Sequence, residues 1–516
     1  MLTNFFIYDI FLFIMNKVIC REKELSRIKT RLASESTEFI VVYGRRRVGK
    51  TWLVRNAIPM LLDQDNYVYL EVTGTISDDS RLLPSKESFY NSLNLSWNIS
   101  FGELLFDPSA DSRNMNIENL FFLKLSEKIH SFKKQKIILF FDELPWIAKT
   151  SKTFYDGILF FRNNAVRDNK NIKIFVSGSA TSWMLDNIVN AKGSAALRAT
   201  EIIKLYPLTL FETSRYLFEK CKMSCSNEIV YEIYLCIGGI PYYLDYVNPQ
   251  KTWVENLYSL TSTETGLLNM DVEHDKIFSI LFEKPQFHKK VVDYIATSRY
   301  GKTVMEISQK IIFQKKSNGK ISKTLRELVA CDILEKREQL FHKSKQAKYF
   351  IKDNFLNFYY KWLNRQKQIK LSSFTDLIHS SAYRSWCGIM FELILFTHHK
   401  MVMRTLGYQK LAYETFLYHY EKNKSKRQID LIIVLPRLRT LIICEAKYRI
   451  NYELSKADID SAYEKKQDIH ACMKRHKKSY EVKICYITKT PLKKNRAYQE
   501  LLPLEMTFDQ VFKSED

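Results

Sequence analysis

The feature that most constrains the fold is a short apolar run followed at once by a glycine-rich loop. Residues 39–43 are β-branched or aromatic and predict a buried strand. The chain continues with Gly44-Arg-Arg-Arg-Val-Gly-Lys-Thr51, which matches the phosphate-binding pattern of spaced glycines, lysine and threonine. The residues after Thr51 have helical apolar spacing, so strand, loop and helix follow in the order that the pattern requires. A chance glycine-rich turn ahead of a helix is the alternative.

The residue types of the loop suit phosphate chemistry. Glycines let backbone N–H groups curve around phosphate oxygens, and the helix N-terminus adds positive partial charge. Lys50 is expected to reach the β- and γ-phosphates, and the hydroxyl of Thr51 is expected to hold Mg²⁺. The predicted nucleotide-binding residues are Gly44, Arg45, Arg46, Arg47, Val48, Gly49, Lys50, Thr51 and Trp52.

A second apolar strand ends in two carboxylates. Residues 136–141 read Lys-Ile-Ile-Leu-Phe-Phe, and Asp142 and Glu143 follow them. At the carboxyl end of a parallel strand, Asp142 would support Mg²⁺ and Glu143 would polarise the attacking water as a general base. Two surface carboxylates after a core strand are the alternative, but the upstream loop favours the catalytic interpretation.

The next predicted strand runs into Ser177-Gly-Ser179. A small polar residue here can contact the γ-phosphate or the attacking water. Ser177 and Ser179 both fit, and Ser179 is the preferred candidate. An ordinary turn is the alternative, since serine and glycine are common turn residues.

Several segments in a fixed order resemble the prokaryotic archaeal-type ATPase family, a branch of the AAA+/STAND-like P-loop ATPases. Besides the three motifs above, they are residues 21–25, 197–199, 205–208 and the Gly-Gly-Ile-Pro-Tyr run at 238–242. The resemblance covers about residues 16–260. It implies ATP as the nucleotide, a P-loop core over 16–205, a helical lid over 206–275, and the option of a homo-oligomer formed through the ATPase domain.

Arg198 is a candidate catalytic cation in this region. A guanidinium group near the γ-phosphate can stabilise the transition state. Whether Arg198 acts within its own chain, acts across a subunit interface or only faces solvent stays open.

The middle of the chain predicts a winged-helix domain over residues 276–355. Three short amphipathic helices are followed by two strand candidates at 335–341 and 348–352, in the order of that fold. The third helix and the hairpin carry charges suited to phosphate contacts: Lys320, Lys323, Arg326, Lys343, Lys345 and Lys348. A packing module within a larger ATPase is the alternative.

The last third contains two apolar strands around the turn at residues 435–440. Folded as a hairpin centred on that turn, Val434 faces Leu441 and Asp430 faces Glu445. Lys447 lies two residues after Glu445 and returns to the same face. Two carboxylates can hold Mg²⁺ while a lysine acts on the attacking water.

This constellation resembles that of the PD-(D/E)xK nucleases, with Glu392 in the position of their first-helix acidic residue. The resemblance covers about residues 350–516 and implies a metal set of Glu392, Asp430 and Glu445, with Lys447 as the catalytic lysine. Ile429 stands where the pattern has proline. A salt-bridged hairpin in a degenerate domain is the alternative.

Composition favours an anionic partner. The 516 residues carry 79 Lys and Arg against 57 Asp and Glu, a formal net charge of +22, and basic runs at 422–427 and 474–478 flank the hairpin. A Lys-rich proteome is the alternative cause. The nine cysteines show no zinc-site spacing, so reduced structural thiols in a cytoplasmic protein are expected.

The N-terminal residues 1–15 are treated as an extension outside the core. Residues 2–15 are apolar but too short to span a bilayer, and no later segment is long enough either. The preferred interpretation is an over-extended reading frame with the natural start at Met15, and a surface-anchoring helix is the alternative.

The combined prediction is an α/β protein with a P-loop parallel sheet, a helical lid, a winged-helix middle domain and an α/β restriction-endonuclease-like domain over 356–516. The expected function is an ATPase that uses Mg²⁺ and is coupled to a Mg²⁺-dependent nuclease-like domain acting on DNA. One alternative is a STAND-like nucleotide switch whose C-terminal domain binds a partner. Another is a DNA-binding ATPase with an inactive nuclease domain.

Overall fold

The computed structural model divides the chain into two compact units, Met1–Tyr206 and Pro207–Asp516. The residues that it describes are 18–63, 66–74, 117–130, 135–150, 153–167, 169–179, 182–189, 199–261, 270–282, 284–313, 319–342, 346–364, 371–422 and 425–513.

The first unit is built on a five-stranded parallel sheet in the order β2-β3-β4-β1-β5. Its strands are β1 (Glu38–Gly44), β2 (Tyr67–Thr73), β3 (Lys136–Asp142), β4 (Ile172–Ser179) and β5 (Glu201–Leu205). The α-helices described in this unit are α1 (Glu22–Ala33), α2 (Lys50–Leu61), α3 (Ile117–His130), α4 (Leu144–Thr150), α5 (Phe154–Phe160) and the single turn α6 (Ser182–Met184). Two π-helical turns, Phe161–Ala165 and Leu185–Val189, follow α5 and α6 directly. The prediction of an α/β fold with a parallel sheet is confirmed.

The three middle strands of this sheet, β1, β3 and β4, are buried on both faces, which is why they read as continuous apolar runs rather than alternating ones. Phe122 of α3 contacts both Phe141 of β3 and Phe154 of α5, with ring centroids 6.3 and 5.4 Å away. This aromatic layer fixes the strand that ends at Asp142 against its covering helices.

The second unit begins with helices, which are followed by a three-stranded sheet and then by a five-stranded sheet. They are α7 (Leu210–Glu219), α8 (Asn227–Ile237), α9 (Pro241–Leu244), α10 (Trp253–Thr261) and α11 (Met270–Leu281). Next come α12 (Pro285–Ala296), β6 (Lys302–Thr303), α13 (Val304–Ile312), α14 (Gly319–Ala330), β7 (Leu334–Arg337) and β8 (Lys348–Ile351). The three strands pair antiparallel in the order β6-β8-β7.

A second five-stranded sheet, in the order β13-β12-β11-β10-β9, forms the C-terminal part of this unit. It follows α15 (Asn354–Phe358), a π-helical turn (Tyr359–Leu363), α16 (Leu371–His379), α17 (Ser381–Thr397) and α18 (His399–Thr405). The sheet comprises β9 (Glu414–Lys422), β10 (Ser425–Leu435), β11 (Thr440–Lys447), β12 (Glu481–Thr488) and β13 (Leu504–Thr507), with α19 (Lys456–Arg475) between β11 and β12 and α20 (Arg496–Leu501) between β12 and β13. The pairs β9–β10 and β10–β11 are antiparallel, and the remaining pairs are parallel.

Side chains from distant segments of the second unit pack against one another. Tyr231 of α8 contacts Phe391 of α17, Tyr448 and Phe508, with ring centroids 6.0, 4.9 and 5.4 Å away. The segment after β7 also joins the C-terminal sheet, because Leu340 N–H donates to the Leu417 carbonyl of β9 at 2.9 Å.

Candidate nucleotide-binding site

The loop between β1 and α2 takes a shape that its glycines permit. Gly44 packs so closely on β5 that a Cβ atom would lie 2.2 Å from the Leu205 carbonyl oxygen. Gly49 caps α2 with φ +92°, a left-handed conformation that side chains other than glycine rarely adopt. These two positions turn the chain so that the helix begins at Lys50.

Lys50 lies at the junction of the loop with the neighbouring strands. This residue is only 5% exposed. The ammonium nitrogen lies 3.2 Å from the Arg45 carbonyl oxygen and 3.5 Å from the Ser179 hydroxyl. It also lies 3.9 Å from a carboxylate oxygen of Glu143. A single cation therefore joins the loop to both acidic and hydroxyl groups at the carboxyl end of the sheet.

Thr51 and Asp142 form the candidate Mg²⁺ pair. The Thr51 hydroxyl donates to Oδ2 of Asp142 at 2.7 Å, and the Ser177 hydroxyl donates to Oδ1 of the same carboxylate. Asp142 is 2% exposed, and this burial raises its pKa, against the hydrogen bonds from Ser177 and Thr51 and the charge of Lys50. A hydroxyl and a buried carboxylate at this distance fit the oxygen ligands that Mg²⁺ prefers.

Glu143 is held in an unusual backbone conformation beside the pair. Its φ of +49° is uncommon for a non-glycine residue. Its N–H donates to the Ser177 hydroxyl at 3.2 Å, and its carboxylate accepts from the Ser179 N–H and hydroxyl, both at 3.4 Å. The carboxylate thus points along the same edge of the sheet as Lys50.

The strand order accounts for this convergence. Strand β4 lies between β1 and β3, and its register places Ser179 beside Gly44. Ser177 is consequently close to the end of β3, where its hydroxyl contacts Asp142, while Ser179 contacts Lys50 and Glu143. The two serines therefore contact different partners and do not compete for one position, although the sequence alone suggests that they do.

The side chain of Arg21 supports the loop, a role that its position in the sequence does not indicate. Arg21 precedes α1, is buried, and donates from its guanidinium to the Val48 carbonyl at 3.1 Å. Farther along α2, Arg55 forms an ion pair with Glu71 of β2, whose other oxygen accepts from Tyr69 at 2.9 Å. Periodicity within one helix or strand does not predict the contact of Arg21 with Val48 or the ion pair of Arg55 with Glu71, because each joins different segments of the chain.

The predicted catalytic cation Arg198 lies outside the described residues, and the predicted N-terminal extension does too. Trp52 is half-buried at the start of α2, and Arg45 is almost fully buried within the loop. Arg46 and Val48 complete the turn, and Arg47 adopts a left-handed φ of +69°.

The predicted nuclease-like residues lie on three elements of the second unit. Glu392 is half-buried on α17, which packs against β10 and β11. The hairpin has the predicted register, with Val434 opposite Leu441 and Leu431 opposite Cys444. Asp430 is the next residue of β10, but its side chain lies outside the described ones.

The two remaining residues of this constellation share a face of β11. Glu445 accepts an ion-paired hydrogen bond from Lys465 of α19, with both side chains largely buried. Lys447 lies two residues on and interacts electrostatically with Asp458 at the start of α19. The covering helix α19 therefore supplies both the lysine that pairs with Glu445 and the aspartate that interacts with Lys447.

Comparison with known proteins decides the class of the first half of the chain. Residues 19–247 match the family model described as an ATPase domain predominantly from Archaea. This chain carries an archaeal-type ATPase domain. That domain includes the loop at 44–51 and the residues that converge on it.

Similarity to individual proteins extends beyond the archaeal-type ATPase domain. The uncharacterized protein MJECL04 of Methanocaldococcus jannaschii is 26% identical over 449 residues, which cover 86% of this chain and 89% of that protein. Among solved structures, a Walker-type ATPase of Pyrococcus abyssi matches with a TM-score of 0.48 and 16% identity, covering 66% of this chain and 96% of its own. The ORC2 protein of Aeropyrum pernix matches with a TM-score of 0.43 and 9% identity, covering 71% and 96%.

Within the residues that the structure describes, no helix is both long and apolar enough to cross a membrane.

Proposed function

We propose that the archaeal-type ATPase domain binds ATP with Mg²⁺ and hydrolyses it. The observation that carries the proposal is the convergence of Lys50, the Thr51–Asp142 pair and Glu143 at the carboxyl edge of one parallel sheet. Nucleotide sites of open α/β sheets lie at this edge, where the strand order reverses.

Each group has a distinct part in the proposed reaction. The loop N–H groups and the Lys50 ammonium bind the phosphates, and Glu143 takes the proton of the attacking water. Ser179 orients Glu143 through the two hydrogen bonds at 3.4 Å. Thr51 and Asp142 would hold Mg²⁺, which supplies charge neutralisation on the phosphate oxygens.

Replacing Lys50 tests this proposal. Lys50→Ala removes the cation that contacts the phosphates, and we expect ATP turnover to fall by at least roughly 10²-fold. Turnover and thermal melting are measured together. Lys29→Ala, at an exposed lysine of α1, is the matched control and should leave both unchanged. Undiminished hydrolysis in a normally folded Lys50→Ala protein would refute the phosphate-binding role.

The middle of the second unit is proposed to be a winged-helix domain that contacts DNA. Support comes from the chain order of α12, β6, α13, α14, β7 and β8. On α14, the exposed Lys320, Lys323 and Arg326 recur every three residues and so lie along one side. The connection after β7 is anchored on β9, so DNA would be contacted mainly through α14.

The C-terminal domain is proposed to be a Mg²⁺-dependent nuclease of the PD-(D/E)xK type. The hairpin register up to Leu431 and Cys444 supports it, because the same pairing continued by one residue would bring Asp430 opposite Glu445. Glu392 on the helix packed against this hairpin would complete the metal set, and Lys447 would act on the attacking water.

One observation favours the second candidate, a nucleotide switch whose C-terminal domain binds a partner without cutting it. Glu445 is already paired with Lys465, and this buried pair satisfies the carboxylate without a metal ion. A DNA-binding ATPase with an inactive nuclease domain stays open for the same reason. A homo-oligomer formed through the ATPase domain remains a prediction.

A cleavage assay separates these functions. Plasmid and single-stranded DNA are incubated with Mg²⁺ or Mn²⁺, with and without ATP. A nuclease predicts that Asp430→Ala, Glu445→Ala and Lys447→Ala each abolish cleavage while ATP turnover continues. Glu453→Ala and Lys493→Ala, at an exposed ion pair of the same domain, are the controls. Cleavage that persists in the first three variants would show that another site, or a contaminant, is responsible.

A further inference from the structure

Three side chains that commonly bind metals meet near the C-terminal end of α19. The ligand atoms of His342, Cys472 and His476 all lie within 4.8 Å of one another. Cys472 is buried, and the two histidines are half-buried. We propose that these three residues bind a transition-metal ion of the Zn²⁺ type, which ties the segment after β7 to α19. This proposal is independent of the nuclease and ATPase proposals.

Two of the three ligands, Cys472 and His476, are brought together by the geometry of α19 alone. Cys472 and His476 are four residues apart, and the His476 N–H donates to the Cys472 carbonyl at 3.1 Å as the helix ends. Residues spaced by four lie on one face of a helix. Their side chains can therefore reach the same ion from the last turn.

Tertiary contacts bring in the third ligand from a segment 130 residues earlier. Leu340 is anchored by its backbone hydrogen bond to Leu417 of β9, and the Cys472 thiol lies 3.9 Å from the Leu340 carbonyl oxygen. Phe341 stacks on Tyr480, with ring centroids 6.0 Å apart. These neighbours hold His342 beside α19, where its ring lies 5.1 Å from that of His476.

The donor set selects the kind of ion. One thiolate and two imidazoles suit Zn²⁺ and related ions, whereas Mg²⁺ prefers oxygen ligands. Zinc bonds of about 2.0–2.3 Å imply ligand atoms roughly 3.3–3.8 Å apart in a tetrahedron, so side-chain shifts of about 1 Å would close the set. Three protein ligands leave a fourth position for water, on the side where the histidines are partly exposed.

The neighbouring Arg475 has two opposite effects on metal binding: its charge repels a metal ion, and it also stabilises the thiolate form of Cys472. Burial raises the pKa of the Cys472 thiol, and the positive charge of Arg475 acts against that rise. A nearby positive charge stabilises the deprotonated sulfur that a metal requires. The negative charge of the bound thiolate also lowers the net positive charge at the site, and this offsets part of the repulsion between Arg475 and the ion.

Metal reconstitution of the full chain tests the site. Protein stripped with EDTA is loaded with Co²⁺ or Zn²⁺ in the absence of nucleotide, and bound metal is measured by mass spectrometry. We expect one equivalent per chain and, with Co²⁺, the charge-transfer absorption of a cobalt–thiolate bond. Cys472→Ala and His476→Gln should each lose the equivalent and the absorption band. No stoichiometric binding to the wild-type protein would overturn the proposal.

Matched controls separate the site from other cysteines and histidines. Cys485→Ala changes another buried cysteine of the same sheet domain, and His470→Gln changes an exposed histidine of the same helix. Both should keep the metal. If Cys472→Ala fails to fold, His342→Gln decides instead, because its side chain is half-buried. Retention of the metal by His342→Gln and by His476→Gln would rule out this site.

A melting experiment tests the proposed structural role. Added Zn²⁺ should raise the melting temperature of the wild-type protein and of His470→Gln, because an ion that binds only the folded state stabilises it. It should leave the melting temperature of His476→Gln unchanged. An equal rise in all three proteins would indicate binding elsewhere and contradict the proposal.

Discussion

Glu143 is the residue on which the proposed hydrolysis depends most directly. Its left-handed backbone conformation costs energy for a non-glycine residue, and such strain persists only where surrounding contacts maintain it. The Glu143 N–H donates to the Ser177 hydroxyl, and the Ser179 hydroxyl donates to the Glu143 carboxylate. The side chain is about one quarter exposed, so water can reach it while Asp142 beneath stays buried.

Glu143→Gln should slow ATP hydrolysis by roughly 10²- to 10⁴-fold while preserving ATP binding. Glutamine has nearly the same shape and keeps an oxygen that can accept from Ser179, but it cannot take a proton. Single-turnover hydrolysis and nucleotide dissociation are the measurements. Glu127→Gln, at an exposed glutamate of α3, is the control. Turnover that matches the control would exclude Glu143 as the base.

At the scale of elements, α11 is fixed to the π-helical turn after α15 through one histidine. The His274 ring stacks on Tyr359 with centroids 4.4 Å apart, and its Nε2 lies 2.9 Å from the Tyr360 hydroxyl. Burial lowers the pKa of His274, and Lys289 adds to this effect against the opposing influence of Asp275 and Asp293. The packed element therefore favours the neutral ring.

This packing predicts a loss of stability in mild acid. The unfolded chain binds a proton at His274 near its ordinary pKa of about 6.5, whereas the folded chain resists protonation. Consequently, the neutral His274 ring contributes to the free energy of unfolding above that pH. This contribution is lost as the pH falls through the lower pKa of the folded protein. His274→Phe should reduce the fall in melting temperature between about pH 7.5 and 5.5. His379→Gln, which changes an exposed histidine of α16, is the control and should leave this fall in melting temperature unchanged. Equal pH profiles of melting temperature for His274→Phe and the wild type would contradict this account.

At the scale of the whole molecule, a net charge of +22 favours an anionic partner. A binding surface forms only where the fold brings several basic side chains together on one exposed side. The described part of α14 presents Lys320, Lys323 and Arg326 on one exposed side. Lys323 lies 3.8 Å from Glu327, and Lys320 lies 3.8 Å from the centre of the Phe287 ring. Glu327 is buried, but the side chain of Lys323 is more than half exposed, and Lys320 is exposed as well, so solvent and phosphates can reach both ammonium groups.

Replacing these three cations by glutamine should weaken DNA binding and reduce its salt dependence. Each lost phosphate contact lowers the slope of log affinity against log salt by about 0.9, so the full change is up to roughly 2.7. Binding is measured over a series of salt concentrations with double-stranded DNA. Glutamine at Lys222, Lys251 and Lys410, which are exposed and far apart in sequence, gives a control of equal charge. Identical slopes for both triple variants would show that net charge, and not α14, governs binding.

Local sequence was enough for features that depend on adjacent residues. The apolar runs of β1 and β3, the loop at 44–51 and the acidic pair after β3 were all predictable, because strand burial and phosphate-loop chemistry act over a few residues. The register of the β10–β11 hairpin was predictable as well, since a short turn determines which residues face each other.

The domain limits within the second unit and the roles of Arg198 and Asp430 stay predictions. The limits depend on packing such as the contact of Tyr231 with Phe391, which joins helices 160 residues apart in the chain. No periodic pattern contains information about such a contact.

Contacts between distant segments were decided by tertiary structure alone. The position of β4 between β1 and β3 assigns Ser177 to Asp142 and Ser179 to Glu143 and Lys50, because strand order depends on how crossovers pack. The pairing of Leu340 with Leu417 likewise brings His342 to Cys472 and His476. Residue spacing along the chain predicts only which side chains share a face of one element, whereas a site built from several elements exists only once their packing is determined.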